Sequence, residues 1–137
     1  MDELIRPFEP RAGTLDVTAL GVGVDIVEIE RVAGVVARWG RRFLERVYTS
    51  AELAYCRGRT PELAARFAGK EAIAKALGTG IRGLSWREME ILADPLGKPI
   101  VRLHGRAGNR ALAIGLRQFA ISLSHSRDFA VAMVVAR

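Results

Sequence analysis

Thr60-Pro-Glu-Leu-Ala-Ala-Arg-Phe-Ala-Gly-Lys-Glu-Ala-Ile-Ala-Lys-Ala-Leu77 is the stretch on which the fold turns. Alanine and the straight-chain residues favour a helix. Thr60 offers an N-cap, Pro61 sits at the first helical position, Glu62 lies in the first turn and Gly78 supplies a stop. The spacing predicts a helix over 61–77. At about 100° per residue, Ala64, Phe67, Ala68 and Ala74 share a stripe with Glu71 and Lys75. Ile73 and Leu77 occupy the opposite side, so the helix is apolar nearly all round and belongs at the centre of a fold. Charges there are costly unless paired or bound. Glu71 and Lys75 are therefore either an ordinary i,i+4 pair, worth about 0.3 kcal/mol, or groups held for chemistry.

Working outward, Leu20–Ile29 reads as a strand rich in β-branched residues, in which Gly21 and Gly23 permit close backbone approach. Residues 30–39 switch to a helical period through Val32, Val35, Val36 and Trp39, with Gly40 as a stop. Residues 41–47 form a second short helix. Thr49 and Glu52 have the spacing of a capping box for a third, ending by Gly58. Beyond the long helix comes the glycine loop 78–83. Residues 86–93 and 98–104 read as strands joined by the Asp94-Pro-Leu-Gly97 turn. Residues 106–116 read as an amphipathic helix. Phe119–His125 and Phe129–Ala136 form a terminal hairpin. The order is β-ααα-ββ-α-ββ: an α+β fold with a small antiparallel sheet packed against helices. The apolar alternation through Phe119, Ile121, Leu123, Phe129, Val131, Met133 and Val135 suits either a core or a subunit interface.

The 137 residues fit one domain, which we place at 20–137. Residues 1–19 read as a mobile N-terminal extension, with Pro7 and Pro10 and no persistent period. Half of the residues are hydrophobic, which excludes disorder. A lone Cys56 excludes a disulfide scaffold and fits a reducing compartment, hence the cytoplasm. No apolar run reaches transmembrane length, and the first residues have no apolar signal core.

Lysine and arginine number 21 against 15 acids, a net charge of +6. The excess concentrates at Arg31, Arg38, Arg41, Arg42, Arg46, Arg57 and Arg59. A basic surface suits nucleic acid, an anionic membrane, a phosphorylated ligand or an acidic protein, or is simply a solvated helix face. Nucleic-acid binding is the principal rival from another class. No helix-turn-helix, zinc-finger or RNP pattern supports it.

Asp25 interrupts an apolar strand, where an acid is unfavourable. It either caps the next helix or meets Glu71 to hold a divalent metal, as magnesium takes one or two carboxylates plus phosphates and water. The Gly78-Thr79-Gly80 segment has the glycine content for phosphate approach but lacks the P-loop pattern. Ser122-Leu-Ser124-His125-Ser126 sets a histidine among serines without the hydrolase elbow.

Together these segments form a set. Gly21-Val-Gly-Val-Asp25-Ile-Val-Glu-Ile-Glu-Arg31 resembles one signature of the 4′-phosphopantetheinyl transferases, and Arg66-Phe-Ala-Gly-Lys70-Glu71-Ala-Ile-Ala-Lys75-Ala-Leu-Gly-Thr-Gly80 resembles the other. Asp94–Pro99 and Ser122–Ser126 match two further segments in order. The chain resembles the short bacterial subfamily, the holo-acyl-carrier-protein synthases, over about residues 20–137. The resemblance implies transfer of the phosphopantetheine arm of coenzyme A to a serine of apo acyl carrier protein in the cytoplasm. It implies Mg2+, or Mn2+, held by Asp25 and Glu71, with Lys75 on the transferred phosphate. It assigns Arg66, Lys70, Lys75, Gly78, Thr79, Gly80, Lys98, Pro99, Ser124, His125 and Ser126 to coenzyme A. Arg31, Val35, Arg38, Arg42 and Phe43 fall to the acidic carrier protein. It further implies a homotrimer with sites between subunits, and neither nucleic acid nor membrane as partner.

Overall fold

The computed structural model describes residues 20–137, so the arm expected over residues 1–19 lies outside the described residues. Strand β1 (Gly21–Glu28) runs directly into α1 (Ile29–Trp39), followed by α2 (Arg41–Val47), α3 (Ser50–Cys56) and the long α4 (Thr60–Ala76). Strands β2 (Met89–Ala93) and β3 (Pro99–Leu103), helix α5 (Gly105–Ala113), and strands β4 (Phe119–His125) and β5 (Phe129–Ala136) complete the chain. The α+β order is the one predicted. The strands form two antiparallel groups, a three-stranded sheet ordered β1-β5-β4 and the β2–β3 hairpin.

Helix α4 lies against the three-stranded sheet, and the glycines of β1 explain how closely. A Cβ on Gly23 would fall 1.8 Å from the Ala72 carbonyl oxygen, and one on Gly21 would fall 2.8 Å from that of Ala76. Strand and helix meet backbone to backbone, which only glycine permits. Small Ala68, Ala72 and Ala76 on α4 complete the contact, with Ala132, Val134 and Ala136 of β5 buried beside them. A second core gathers Ile29, Val32, Val47, Tyr48 and Leu63 beneath the first helices. There the Tyr48 hydroxyl donates to the Leu63 carbonyl at 2.6 Å.

Several boundaries differ from expectation. Arg59, not Thr60, caps α4, and no side chain closes that cap. Arg59 instead donates back to the Cys56 and Tyr55 carbonyls, stitching α3 to α4. Residues 86–88 form a 3-10 turn rather than strand, because the Glu88 carboxylate accepts from the Ser85 amide and curls the backbone. Helix α5 stops at Ala113, ahead of Gly115, which has a φ of 79°. The C-terminal alternation divides by strand. On β4, Ile121 is buried and Phe119 and Leu123 pack on the core. On β5 the core residues are the alanines and Val134, while Phe129, Met133 and Val135 face outward.

Candidate active site

Asp25 sits in β1 opposite Ala132, on the face turned toward α4. Glu71 and Lys75, one turn apart on α4, project toward it. Of the two readings of these charges, the i,i+4 pair does not form. Lys75 Nζ donates to the Val24 carbonyl at 2.9 Å and to Asp25 Oδ1 at 3.2 Å, leaving Glu71 without a cation of its own among the described residues. The half-buried Glu71 carboxyl is pushed up from its ordinary range, first by burial and then by the negative charge of Asp25, with Lys75 opposing. Two carboxylates thus face one cavity of about 290 Å³.

Other walls of that cavity are Val27, Arg31, Val35, Phe43 and Phe67. Phe67 stacks on Trp86 with ring centroids 4.9 Å apart and lies 6.2 Å from Phe43, so the aromatic wall is braced. Val35 and Phe43 also line a neighbouring cavity of about 450 Å³ with Trp39, Arg42 and Arg46. The two cavities make one groove, acidic at the Asp25–Glu71 end and basic and apolar at the α1–α2 end. Arg31, Val35, Arg42 and Phe43, named from sequence, all line it. Arg38 lies beside it, its guanidinium 5.1 Å from the Trp39 ring centre. Arg46 was named only as part of the basic run, and Trp39 was missed. Trp39 completes the helical period and reads as core, yet it is half exposed; its i+4 spacing from Val35 was the available signal.

Two predicted coenzyme residues are placed elsewhere. Lys70 is wholly buried, and its Nζ donates to Glu52 Oε1 at 2.7 Å and to the Trp86 and Met89 carbonyls. All three ammonium protons have protein acceptors, so none remains for coenzyme A. Arg66 is 2% exposed, donating to the Ile91 carbonyl and Glu62 and lying 4.2 Å from the centre of the Tyr55 ring. Both are internal struts.

The remaining predicted residues are dispersed. Gly78, Thr79 and Gly80 follow the end of α4 as expected, with Gly78 and Gly80 at positive φ. Lys98 and Pro99 line a separate cavity of about 350 Å³ with Phe119, Ala120 and Ile121. That cavity adjoins β4, the strand at the opposite edge from β1. His125 ends β4, two strand spacings or about 10 Å across the sheet from Val27. Ser124 shares the outward face of Val131 and Ile26, and Ser126 turns its hydroxyl onto the Phe129 backbone. One chain does not bring these residues to Asp25.

Asp25 and Glu71 suit a magnesium ion. Both are hard oxygen donors, and Glu71 is disfavoured by its neighbour's charge, which a cation between them would reverse. No cluster of three or more acidic, histidine or cysteine groups forms among the described residues. Two carboxylates would hold magnesium only together with phosphate oxygens and water.

The model of the 4′-phosphopantetheinyl transferase superfamily matches residues 21–134. A holo-[acyl-carrier-protein] synthase of Herpetosiphon aurantiacus is 50% identical over 123 residues, covering 85% of this chain and 97% of that protein. The crystal structure of the Helicobacter pylori holo-[acyl-carrier-protein] synthase in complex with coenzyme A is 33% identical, with a TM-score of 0.78. It covers 85% of this chain and 99% of that one. The corresponding synthase from Neisseria meningitidis is 39% identical with a TM-score of 0.77, covering 85% and 97%. These matches show that the chain belongs to the 4′-phosphopantetheinyl transferase superfamily.

Proposed function

We propose that the protein is a holo-acyl-carrier-protein synthase, moving 4′-phosphopantetheine from coenzyme A to a serine of apo acyl carrier protein and releasing adenosine 3′,5′-bisphosphate. The observation that carries this reading is the convergence of Asp25, Glu71 and Lys75 on one end of a groove whose other end is basic and apolar. The serine oxygen forms a bond to the phosphorus that carries pantetheine, and the bond from that phosphorus to the bridging oxygen breaks. Asp25 and Glu71 would hold Mg2+, or Mn2+ in its place, which would supply neutralisation of phosphate charge. Lys75 is half exposed on a long stem and swings from Asp25 to the phosphate, where charge develops. Asp25 and Glu71 are the carboxylates at hand for the serine's proton. Arg31, Arg38, Arg42 and Arg46 steer the acidic carrier protein, while Val35, Trp39 and Phe43 supply the apolar contact that holds it.

The outward face of the three-stranded sheet supports a homotrimer. Val22, Val24, Ile26, Met133 and Val135 are each between 38% and 63% exposed on it, a contiguous apolar patch of the kind that marks an interface. In this reading neighbouring subunits supply coenzyme residues that one chain leaves dispersed, Lys98, Pro99 and His125 among them. Light scattering at several concentrations tests this; a stable monomer throughout contradicts it.

No helix among the described residues is long and apolar enough to cross a membrane. Together with the buried, unpaired Cys56, this supports a cytoplasmic domain over residues 20–137. The decisive test is mass spectrometry of apo acyl carrier protein after incubation with this protein, coenzyme A and magnesium. A gain of about 340 Da, one phosphopantetheine, is expected of the phosphoryl transfer. No gain with several carrier proteins defeats the reading.

A further inference from the structure

Trp86 lines neither cavity of the groove, yet two helices hold the turn that carries it. From α4, the buried Lys70 Nζ donates to the Trp86 carbonyl at 3.1 Å. From α5, the Ala107 amide donates to Glu88 Oε2 at 3.1 Å, while Glu88 Oε1 accepts from the Ser85 amide at 2.8 Å. A single 3-10 turn is weakly bonded by itself; these contacts make this one a fixed mount, and its indole packs on both apolar cores. That indole faces Phe67, with the two rings within 23° of parallel and their centroids 4.9 Å apart. Phe43 lies 6.2 Å beyond Phe67, and Tyr48 lies 6.1 Å beyond Phe43, its hydroxyl tied to the Leu63 carbonyl. The rings therefore run in the order Trp86, Phe67, Phe43, Tyr48, and only the inner two line the groove. Phe67 stands one turn before Glu71 and about 40° from it around α4, in the wall of the same cavity. An aromatic side chain on a helix takes either of two χ1 orientations. At the edge of a cavity the helix alone does not choose between them; the stack on a fixed indole does.

We propose that Trp86 is a positioning residue for the transfer. It acts through Phe67, holding that ring as the wall along which the acceptor serine is brought to Asp25 and Glu71. The proposal rests on the groove being the acceptor's route, as proposed above. Removing the indole leaves both carboxylates and Lys75 in place but frees the wall between them and the carrier-facing arginines. The loss is then one of orientation at the reacting end, not of affinity for coenzyme A.

Transfer kinetics of the full chain with coenzyme A, magnesium and apo carrier protein test the proposal. Trp86→Leu keeps an apolar group on the turn and removes the stack; it should lower kcat about tenfold with the KM for coenzyme A unchanged. Trp86→Phe, which keeps an aromatic face, should recover most of the loss. In a Phe67→Leu background, Trp86→Leu should cost little more, because the ring it acts through is already gone. The Phe67 ring-proton resonances, read by NMR without substrate, should shift in Trp86→Leu. Unchanged resonances overturn the brace itself. An unaltered kcat overturns the positioning role. So do additive losses in the double variant, or a kcat loss that the unfolded fraction at the assay temperature accounts for. Unaltered protein that shows the Trp86-dependent Phe67 resonances but adds no mass to any carrier protein defeats the transfer reading instead.

Discussion

Lys70 and Lys75 stand on the same helix, five residues apart, and have opposite fates. Lys70 is wholly buried among Glu52, the Trp86 and Met89 carbonyls and the Tyr48 ring. Burial pushes its ammonium toward neutrality, and Glu52 pulls it back. Lys75 is half exposed, touching Asp25 and one carbonyl. The two residues differ little in sequence terms: each is a lysine flanked by alanine, glycine or glutamate. What separates them is which side of α4 they leave by. Lys70 leaves toward α3 and the β2 hairpin, where polar backbone must be satisfied. Lys75 leaves toward β1, where it meets the Val24 carbonyl and Asp25. Polar contacts fix the buried end of this pair, Lys70, while the presenting end, Lys75 with Glu71, keeps its charge accessible.

The sharpest way to break this division is at the presenting end. Glu71→Gln keeps the shape and removes the charge, and should cut transfer by about a thousandfold or more, near 4 kcal/mol in the barrier. Thermal stability should be unchanged or slightly raised, because a carboxylate disfavoured by burial and by Asp25 is gone. Near-normal turnover with magnesium would remove Glu71 from the metal site. At the buried end the effect should fall on stability instead. Lys70→Met leaves Glu52 enclosed and short of its cation, at a cost of about 3 kcal/mol or more in urea unfolding. Pairing it with Glu52→Gln should cost less than the two single changes summed. A Lys70→Met protein of full stability with a raised coenzyme A KM would return Lys70 to the binding site.

The fold was largely legible because its signals are local. Glycines in β1 announced a strand pressed on a helix, the 61–77 pattern announced the central helix, and the terminal runs announced their hairpin. The Thr49–Glu52 capping box was visible too, and the structure forms it. What no spacing revealed is that Glu52 serves twice, accepting also from Lys70 and from the Ile91 amide. That second duty depends on β2, thirty-nine residues later. Lys70 and Arg66 were misplaced for the same reason. Motif position grouped them with Glu71, but on a helix Lys70 points about 100° away from it and Arg66 about 140° away. Asp25, Glu71 and Lys75 were legible as charges on apolar elements. The distance of Lys98, Pro99 and His125 from Asp25 within one chain was not, since strand order rather than local spacing sets it.

The basic, apolar end of the groove, proposed above to receive the carrier protein, should respond more gently. Arg42→Glu or Arg38→Glu places like charge against an acidic partner, and should raise the carrier KM about tenfold at low salt, less at high salt. The coenzyme A KM should hardly move. Equal effects on both would reduce the arginines to a solvated face. Trp39→Ala should raise the carrier KM with little salt dependence, since it removes apolar contact rather than charge.

The smallest effect should come from Glu90, which couples the buried end to solvent. Its Oε2 accepts from Thr49 Oγ1 at 2.5 Å and its Oε1 lies 3.0 Å from His104 Nε2, with Lys70 also within electrostatic reach. Burial raises the Glu90 carboxyl, but hydrogen bonds from Thr49 and His104, then the charges of His104 and Lys70, outweigh it and hold it below the ordinary range. A carboxyl lowered on folding stabilises the native state above its unfolded value, about 4.3 for glutamate, and that contribution is lost as pH falls through the lowered value. Glu90→Gln should therefore cost about 1 kcal/mol at pH 7, and the gap from the unaltered protein should close on acidification below about pH 4. Glu52 and Lys70 face the same cluster, so paired urea curves with Glu52→Gln separate their share. A gap that stays constant from pH 7 to pH 3 would mean that Glu90 acts by shape alone. The buried end would then hold α4 in place without any help from its second carboxylate's charge.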